Sequence, residues 1–209
     1  MAENETPLWL TWAREIHALA QTGLHYAEND FQRDRYIRLL EIASEIASSH
    51  SQIPQKEILI AYQAQKGYIT PKVDVRAAIF RKSKLLLVRE RIDNDWCMPG
   101  GWADVGDIPS KAIEREVWEE TGFEVRATRI ISVYDCNRVT PLPLFHAYKL
   151  VFLCEIINGA ARPSQETSQV EFFGIDEIPG NLSSNRTTIR HISDAFNAYK
   201  NPCLHTVFD

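Results

Sequence analysis

Residues Gly101 to Phe123 read GWADVGDIPSKAIEREVWEETGF. A glycine opens the stretch and a short acidic helix follows, expected from Ser110, a plausible N-cap, to Thr121. Gly122 stands where a helix usually stops. Glu116, Glu119 and Glu120 are three and four residues apart, so they fall on neighbouring parts of one helical surface. Carboxylates packed this way repel one another unless positive charge sits among them, and a hard cation with oxygen ligands would satisfy them. A solvated acidic face is the alternative reading, and the carboxylates alone do not exclude it. Ile113 and Val117 are expected on the apolar side of the helix, with Glu116 and Glu120 on the other.

Outward from this stretch, the chain divides in two. Residues 1 to about 66 read as three short helices. Thr6-Pro7 suggests a cap and first-turn proline, Leu8, Trp9, Trp12, Ile16 and Leu19 recur at helical spacing, and Gly23 is the expected stop. A second helix begins near Asn29 or Asp30, and a third begins near Pro54 and ends by Gly67. Such a thin bundle is at the margin of independent stability. Its rings, Trp9, Trp12, Tyr26, Phe31 and Tyr36, need cover, either within the chain or from another subunit.

From Gly67 the period changes from helical to alternating. Val73, Val75, Ala77 and Ile79 alternate with charged or small residues, and Leu85 to Val88 form a buried run after a turn at Arg81-Lys82-Ser83-Lys84. Trp96 to Trp102 reads as a short strand that ends in Gly100-Gly101, where the backbone can approach a ligand closely. Strands are expected at about 124–136, 145–157 and 170–174. A proline-marked loop lies at 137–143, a polar loop at 160–168, and a last helix at about 186–200. The order gives an α+β domain with a mixed sheet, covering 67–209.

The 209 residues carry 28 acidic and 23 basic side chains, a formal charge of -5. That balance gives no support from net charge to RNA as a partner. Cys97, Cys136, Cys154 and Cys203 form no C-x-x-C pair, so free thiols in a reducing compartment are expected. The N-terminus is acidic where a signal peptide would be basic, and no segment has the length of a membrane span. The default expectation is a cytoplasmic protein.

The stretch from Gly101 resembles the Nudix box: G, five residues, E, seven residues, then R-E-U-x-E-E-x-G-U, with U apolar. Arg115-Glu116-Val117-Trp118-Glu119-Glu120-Thr121-Gly122-Phe123 completes the pattern at every spacing. Asp107 stands where the family has its first Glu. The N-terminal W-x-x-W and Q-T-G-L-x-Y patterns, at Trp9, Trp12 and Gln21 to Tyr26, resemble the Nudix subgroup with a helical N-terminal domain. So do Tyr68 to Ala77 and the late Val170-Glu171-Phe172-Phe173-Gly174. Described members of that subgroup include a CDP-choline pyrophosphatase.

The resemblance implies a Nudix-type α/β/α sandwich preceded by a small all-helical domain that supports a homodimer. It implies Mg²⁺, with Mn²⁺ possible, and hydrolysis of a nucleoside diphosphate linked to X. CDP-choline-like substrates come first, with ADP-ribose as alternative and a non-catalytic nucleotide sensor as a different class. Glu116 and Glu120 match the principal metal ligands, and Glu119 a further ligand or water-orienting group. Arg115 matches the arginine that positions the glutamates, and Gly101 a carbonyl ligand. Glu166, in the loop five residues ahead of Glu171-Phe172-Phe173, is the candidate ligand or general base. Asp107 is expected to support rather than coordinate. Beside these, Arg76 and Arg89 could reach a phosphate, and Trp102 could stack on a base. His146 and His191 read as structural.

Overall fold

The computed structural model describes residues 6–139 and 144–209. Two compact units emerge: Met1–Lys72 with Cys136–Ala147, and Val73–Asp135 with Tyr148–Asp209. The signal-peptide reading rests partly on residues 1–5, outside the described residues. So does the 140–143 part of the proline-marked loop.

The first unit contains α1 (Leu8–His25), α2 (Asp30–Ser49) and α3 (Gln55–Ala64). The Asn29 side chain caps α2 by accepting the Gln32 N–H, as its position before the helix suggests. Ala13, Ala43, Ala47, Ile58 and Tyr62 form the buried centre. The small alanines allow the helix axes to approach. The His17 ring stacks on Tyr62 with centroids 3.9 Å apart, and burial lowers its pKa to about 4. The Gln21 amide donates to the Tyr62 carbonyl at 2.6 Å, supplying a donor near the end of α3.

Gly23 does not stop α1, which continues to His25. A Cβ at Gly23 would overlap the Tyr36 ring, so this glycine permits close packing of α1 on α2. Trp9 stacks on His50 at 5.0 Å. Trp12, Tyr26 and Phe31 remain exposed within this chain. Cys136–Val139 forms the short helix α5 where the sequence suggests a loop.

The second unit is built on a mixed sheet. Its strands are β1 (Lys72–Arg81), β2 (Lys84–Glu90), β3 (Trp96–Cys97), β4 (Phe123–Asp135), β5 (Ala147–Gly159), β6 (Thr167–Phe173) and β7 (Val207–Phe208). The order is β3-β2-β1-β5-β4-β7, with β6 paired to β2. The β1–β2 hairpin closes at Arg81↔Lys84, and Lys82 and Ser83 both have positive φ. That is the backbone of a two-residue turn whose twist matches the strands. The β4–β7 pairing is parallel while β4–β5 is antiparallel. β7 carries only two residues, too few for a sequence period to reveal it.

Helix α4 (Pro109–Thr121) packs Ala112, Ile113 and Val117 against Val75, Ala77 and Ile79 of β1 and Val125 of β4. Each buried Val or Ile side chain there contributes about 1.5–3 kcal/mol, and each alanine less. On β1, Phe80 alternates with these residues and meets Phe196 and Tyr199 of α6 (Ile189–Lys200). Alternation along a strand places α4 and α6 on opposite faces, giving three layers. The first residue of α4 is Pro109, after Ile108, and Ser110 is already helical. A proline is favoured there because the first helical N–H has no intrahelical partner. All four cysteines are free thiols, with Cys203 alone exposed. Among the described residues, no helix is long and apolar enough to cross a membrane.

Candidate active site

The site is a glycine turn set against the middle and end of α4. The turn is stitched to β1: Val75 N–H donates to the Gly101 carbonyl and Ala77 N–H to the Pro99 carbonyl, both at 2.9 Å. Gly100 has φ +136°, a backbone that favours glycine. Its N–H donates to Glu120 Oε2 at 2.9 Å. A Cβ at Gly101 would lie 2.7 Å from Glu116 Oε2. The pair of glycines therefore lets the backbone close on two carboxylates of the helix.

Glu120 differs from the sequence expectation. It lies seven residues after Ile113, so two helical turns return it close to the same side. It is 5% exposed. Burial is the main cause that pushes its pKa up to about 8, against the opposing pull of Arg76 and the Gly100 N–H. Glu116, one turn earlier, is also raised, again chiefly by burial, with Arg115 opposing. Glu119 is more open to solvent.

Arg115 is the hub of the outer carboxylates. Its guanidinium reaches Glu116 at 2.8 Å, Asp107 at 3.0 Å, Glu119 at 3.4 Å and Asp104 at 3.7 Å. Asp107 also accepts the Asp104 N–H at 3.0 Å. That bond first, and Arg115 second, hold its carboxyl below the usual range. Asp107 thus closes the loop ahead of α4 and anchors Arg115. Its shorter side chain meets Arg115, which explains how aspartate serves at this position. Asp107→Asn is expected to cost less turnover than Glu120→Gln, because it disturbs the anchor and not the inner carboxylates. Steady-state kcat values for the two variants check this, and equal losses would reverse the ranking.

Arg115, Glu116, Glu119, Glu120 and Glu166 line one cavity of about 510 Å³. Loop residue Glu166 is placed by its own backbone: its N–H donates to Ser164 Oγ at 3.1 Å and its carbonyl accepts from Arg91 N–H at 2.8 Å. Thr167 Oγ1 donates to the Glu120 carbonyl at 2.7 Å, tying this loop to α4.

The other sequence candidates lie elsewhere. Arg76 is buried and paired with Asp74 at 3.0 Å, and donates to the Met98 carbonyl at 3.2 Å. Lys149 joins the same Asp74. An arginine held this way supports the wall behind Glu120 and is not on the cavity. Arg89 bridges the Asn94 carbonyl and Gln169, each at 3.0 Å. Trp102 forms an isolated bridge with Asp74 and is half-exposed. None of the three lines the carboxylate cavity. The cavity wall instead contains Trp118 and Arg162. The only sequence signal for them was a large ring on an acidic helix and a lone arginine in a polar loop. Asp74 and Lys149 left no signal, because their meeting spans two strands far apart in sequence.

The donor set fits a hard divalent cation. All candidate ligands are oxygens, and the buried Glu120 and half-buried Glu116 are raised because nearby positive charge does not offset their desolvation. Among the described residues, no three acidic, His or Cys side chains are already gathered around one metal position. Gly100 holds Glu120 while Arg115 draws Glu116 and Glu119 to itself.

The three-layer fold, the glycine turn and the acidic helix on one open cavity agree with the pyrophosphohydrolase class that the comparisons with known proteins show. Residues 70–196 match the NUDIX domain, and residues 7–61 match the UDP-X-like, N-terminal oligomerisation domain. The chain belongs to the Nudix hydrolase family, within the group that carries a helical N-terminal domain. It is 35% identical over 202 residues to "Putative ADP-ribose pyrophosphatase YjhB" of Bacillus subtilis, covering 96% of this chain and 97% of that one. A solved UDP-X diphosphatase is 32% identical with TM-score 0.64, over 98% of this chain and all of that one. A solved ADP-ribose pyrophosphatase from Streptococcus suis is 35% identical with TM-score 0.61, over 67% of this chain and all of that one. Nudix hydrolases generally use divalent metal ions.

Proposed function

We propose that the protein hydrolyses the diphosphate bridge of a nucleoside diphosphate linked to X, releasing a nucleoside monophosphate and phospho-X. The observation that carries this reading is the convergence of Glu116, Glu119, Glu120 and Glu166 on one open cavity. Mg²⁺ is the proposed metal, with Mn²⁺ as a substitute of the same donor preference. When bound, the cation supplies charge that offsets the diphosphate and makes water a better nucleophile at neutral pH. Glu116 and Glu120 would hold it, with Glu119 or Glu166 as a further ligand. Arg115 keeps the outer carboxylates apart and oriented. Glu166 on its loop accepts the proton of the attacking water, whose oxygen bonds to phosphorus as the bridging P–O bond breaks.

ADP-ribose and CDP-choline head the substrates to be tried. The first is supported by the names of relatives that share the catalytic domain, the second by the N-terminal subgroup pattern. UDP-linked sugars follow from the solved relative. A panel of these conjugates with Mg²⁺ or Mn²⁺, read by release of the monophosphate, is expected to give turnover with at least one. Turnover with none would sink the enzyme reading.

The exposed Trp12, Tyr26 and Phe31, together with the oligomerisation-domain match over 7–61, support a homodimer through the helical unit. Light scattering of the full chain is expected to give twice the chain mass. A monomer at micromolar concentration would count against it.

A further inference from the structure

Two arginines line the carboxylate cavity, and they are committed very differently. Arg115 is shared among four carboxylates. Arg162 has no carboxylate or carbonyl partner for its guanidinium among the described residues. Its guanidinium instead lies over the Trp118 ring, 5.2 Å from the centroid. A cation held over a ring is attracted by the ring's charge distribution and uses no hydrogen bond, so the guanidinium N–H groups can still donate.

Arg162 is nonetheless held at three points. Its backbone N–H donates to the Thr121 carbonyl at 2.9 Å. Its stem lies on Gly122, where a Cβ would come 2.5 Å from Arg162 Cγ and 2.8 Å from the Ala160 carbonyl oxygen. Trp118 then supports the head group. The glycine that ends α4 thus serves twice: it takes a left-handed φ of +75°, and it makes room for the Arg162 stem. An exposed arginine usually loses rotamer freedom when it binds, and this one has already been placed.

The neighbours make the chemistry specific. Glu116, Glu119, Glu120 and Glu166 surround the same cavity, so a purely anionic ligand would meet repulsion on that wall without cations of its own. An anion that arrives with a divalent cation would present charge of both signs, metal toward the carboxylates and free oxygens toward Arg162. A diphosphate does this.

We infer that Arg162, seated on Trp118, binds the phosphate oxygens of the diphosphate in the cavity that the glutamates line, with Trp118 as its positioning residue. The inference rests on the proposed diphosphate chemistry but is read by binding. The probe is inorganic pyrophosphate with Mg²⁺, titrated calorimetrically into the full chain. Arg162→Ala is expected to weaken binding about tenfold or more, as loss of a charge-assisted hydrogen bond does, and Arg162→Lys to recover part of it. Trp118→Leu should weaken it less, and Trp118→Phe should restore it by returning a ring face. Pyrophosphate should also change tryptophan emission in the wild type and not in Trp118→Phe.

Equal affinity in Arg162→Ala and wild type, or no pyrophosphate binding by the wild type, would overturn the inference whatever the substrate panel shows. Loss of nucleotide affinity in Trp118→Leu with pyrophosphate affinity unchanged would also overturn it, assigning the ring to the base instead. Arg162-dependent pyrophosphate binding without turnover on any conjugate would leave this inference standing and remove the hydrolase reading.

Discussion

Glu120→Gln is expected to lower kcat by a factor of roughly 10² to 10³ while leaving the fold intact. The substitution changes almost no volume. The amide oxygen can still accept the Gly100 N–H that Glu120 Oε2 accepts at 2.9 Å. What disappears is the ability to present a negative charge to a cation in the cavity. Stability separates this from a packing defect. Burial raises the Glu120 carboxyl to about 8, from an ordinary value of 4.5. A carboxyl raised on folding contributes stability that is fully present below its unfolded pKa and lost as pH rises through the folded one. In the metal-free chain that window runs from about pH 4.5 to about 8. Glu120→Gln removes the penalty, so its Tm should equal or exceed that of the wild type at neutral pH, with the gap widening across the window. Adding Mg²⁺ should raise the wild-type Tm and leave the variant's nearly unchanged. A variant that melts several degrees lower, or that turns over normally, would defeat the assignment.

The second large effect is on folding. Gly100→Ala is expected to destabilise the protein by roughly 3 kcal/mol or more. A Cβ there would overlap the Val75 carbonyl oxygen and lie 3.0 Å from the Arg76 Cα, both backbone atoms of β1. No flexible side-chain end can move aside. The φ of +136° adds strain for any L side chain. Relief would require parting the turn from β1 and breaking the bonds from Val75 and Ala77 that hold it. Glu120 would lose its Gly100 donor at the same time, so turnover should fall with stability. Gly106→Ala is the internal control. Gly106 also has positive φ, +98°, but nothing lies within 4 Å of its Cβ position. Only the backbone term of about 1–2 kcal/mol should appear. Urea unfolding of both variants measures the difference, and equal costs would mean that the contact with β1 carries no weight.

Much of this site was legible in the chain because its parts are close in sequence. Arg115, Glu116, Glu119 and Glu120 share one helix, where spacing alone sets which side chains meet. The Gly100-Gly101 turn and the Lys82-Ser83 hairpin are likewise short-range features. The structure departs from the local reading where partners are remote. Gly23 stands where a helix stop is expected, yet α1 continues to His25 and the missing Cβ leaves room for the Tyr36 ring of α2. Arg76 is a residue that could reach a phosphate by its type and strand position, and the structure holds it in the interior through Asp74 and Met98. Glu120 is expected on the polar side of α4, yet it is buried and its carboxylate accepts the Gly100 N–H of the glycine turn.

By itself, the sequence determined the carboxylate helix and the glycine turn before it, whereas the helical unit also takes in 136–147, which no sequence period assigns to it. Local backbone preference and side-chain period suffice for the helix and the turn. Only the tertiary structure decided which carboxylate is buried, which arginine is spent and which is free. Burial and ion pairing depend on groups brought from distant strands and loops: Asp74 beside Lys149, the Gly100 N–H beneath Glu120, Arg162 across the ring of Trp118. The charge state and reach of a side chain follow from those neighbours, and no spacing along the chain encodes them.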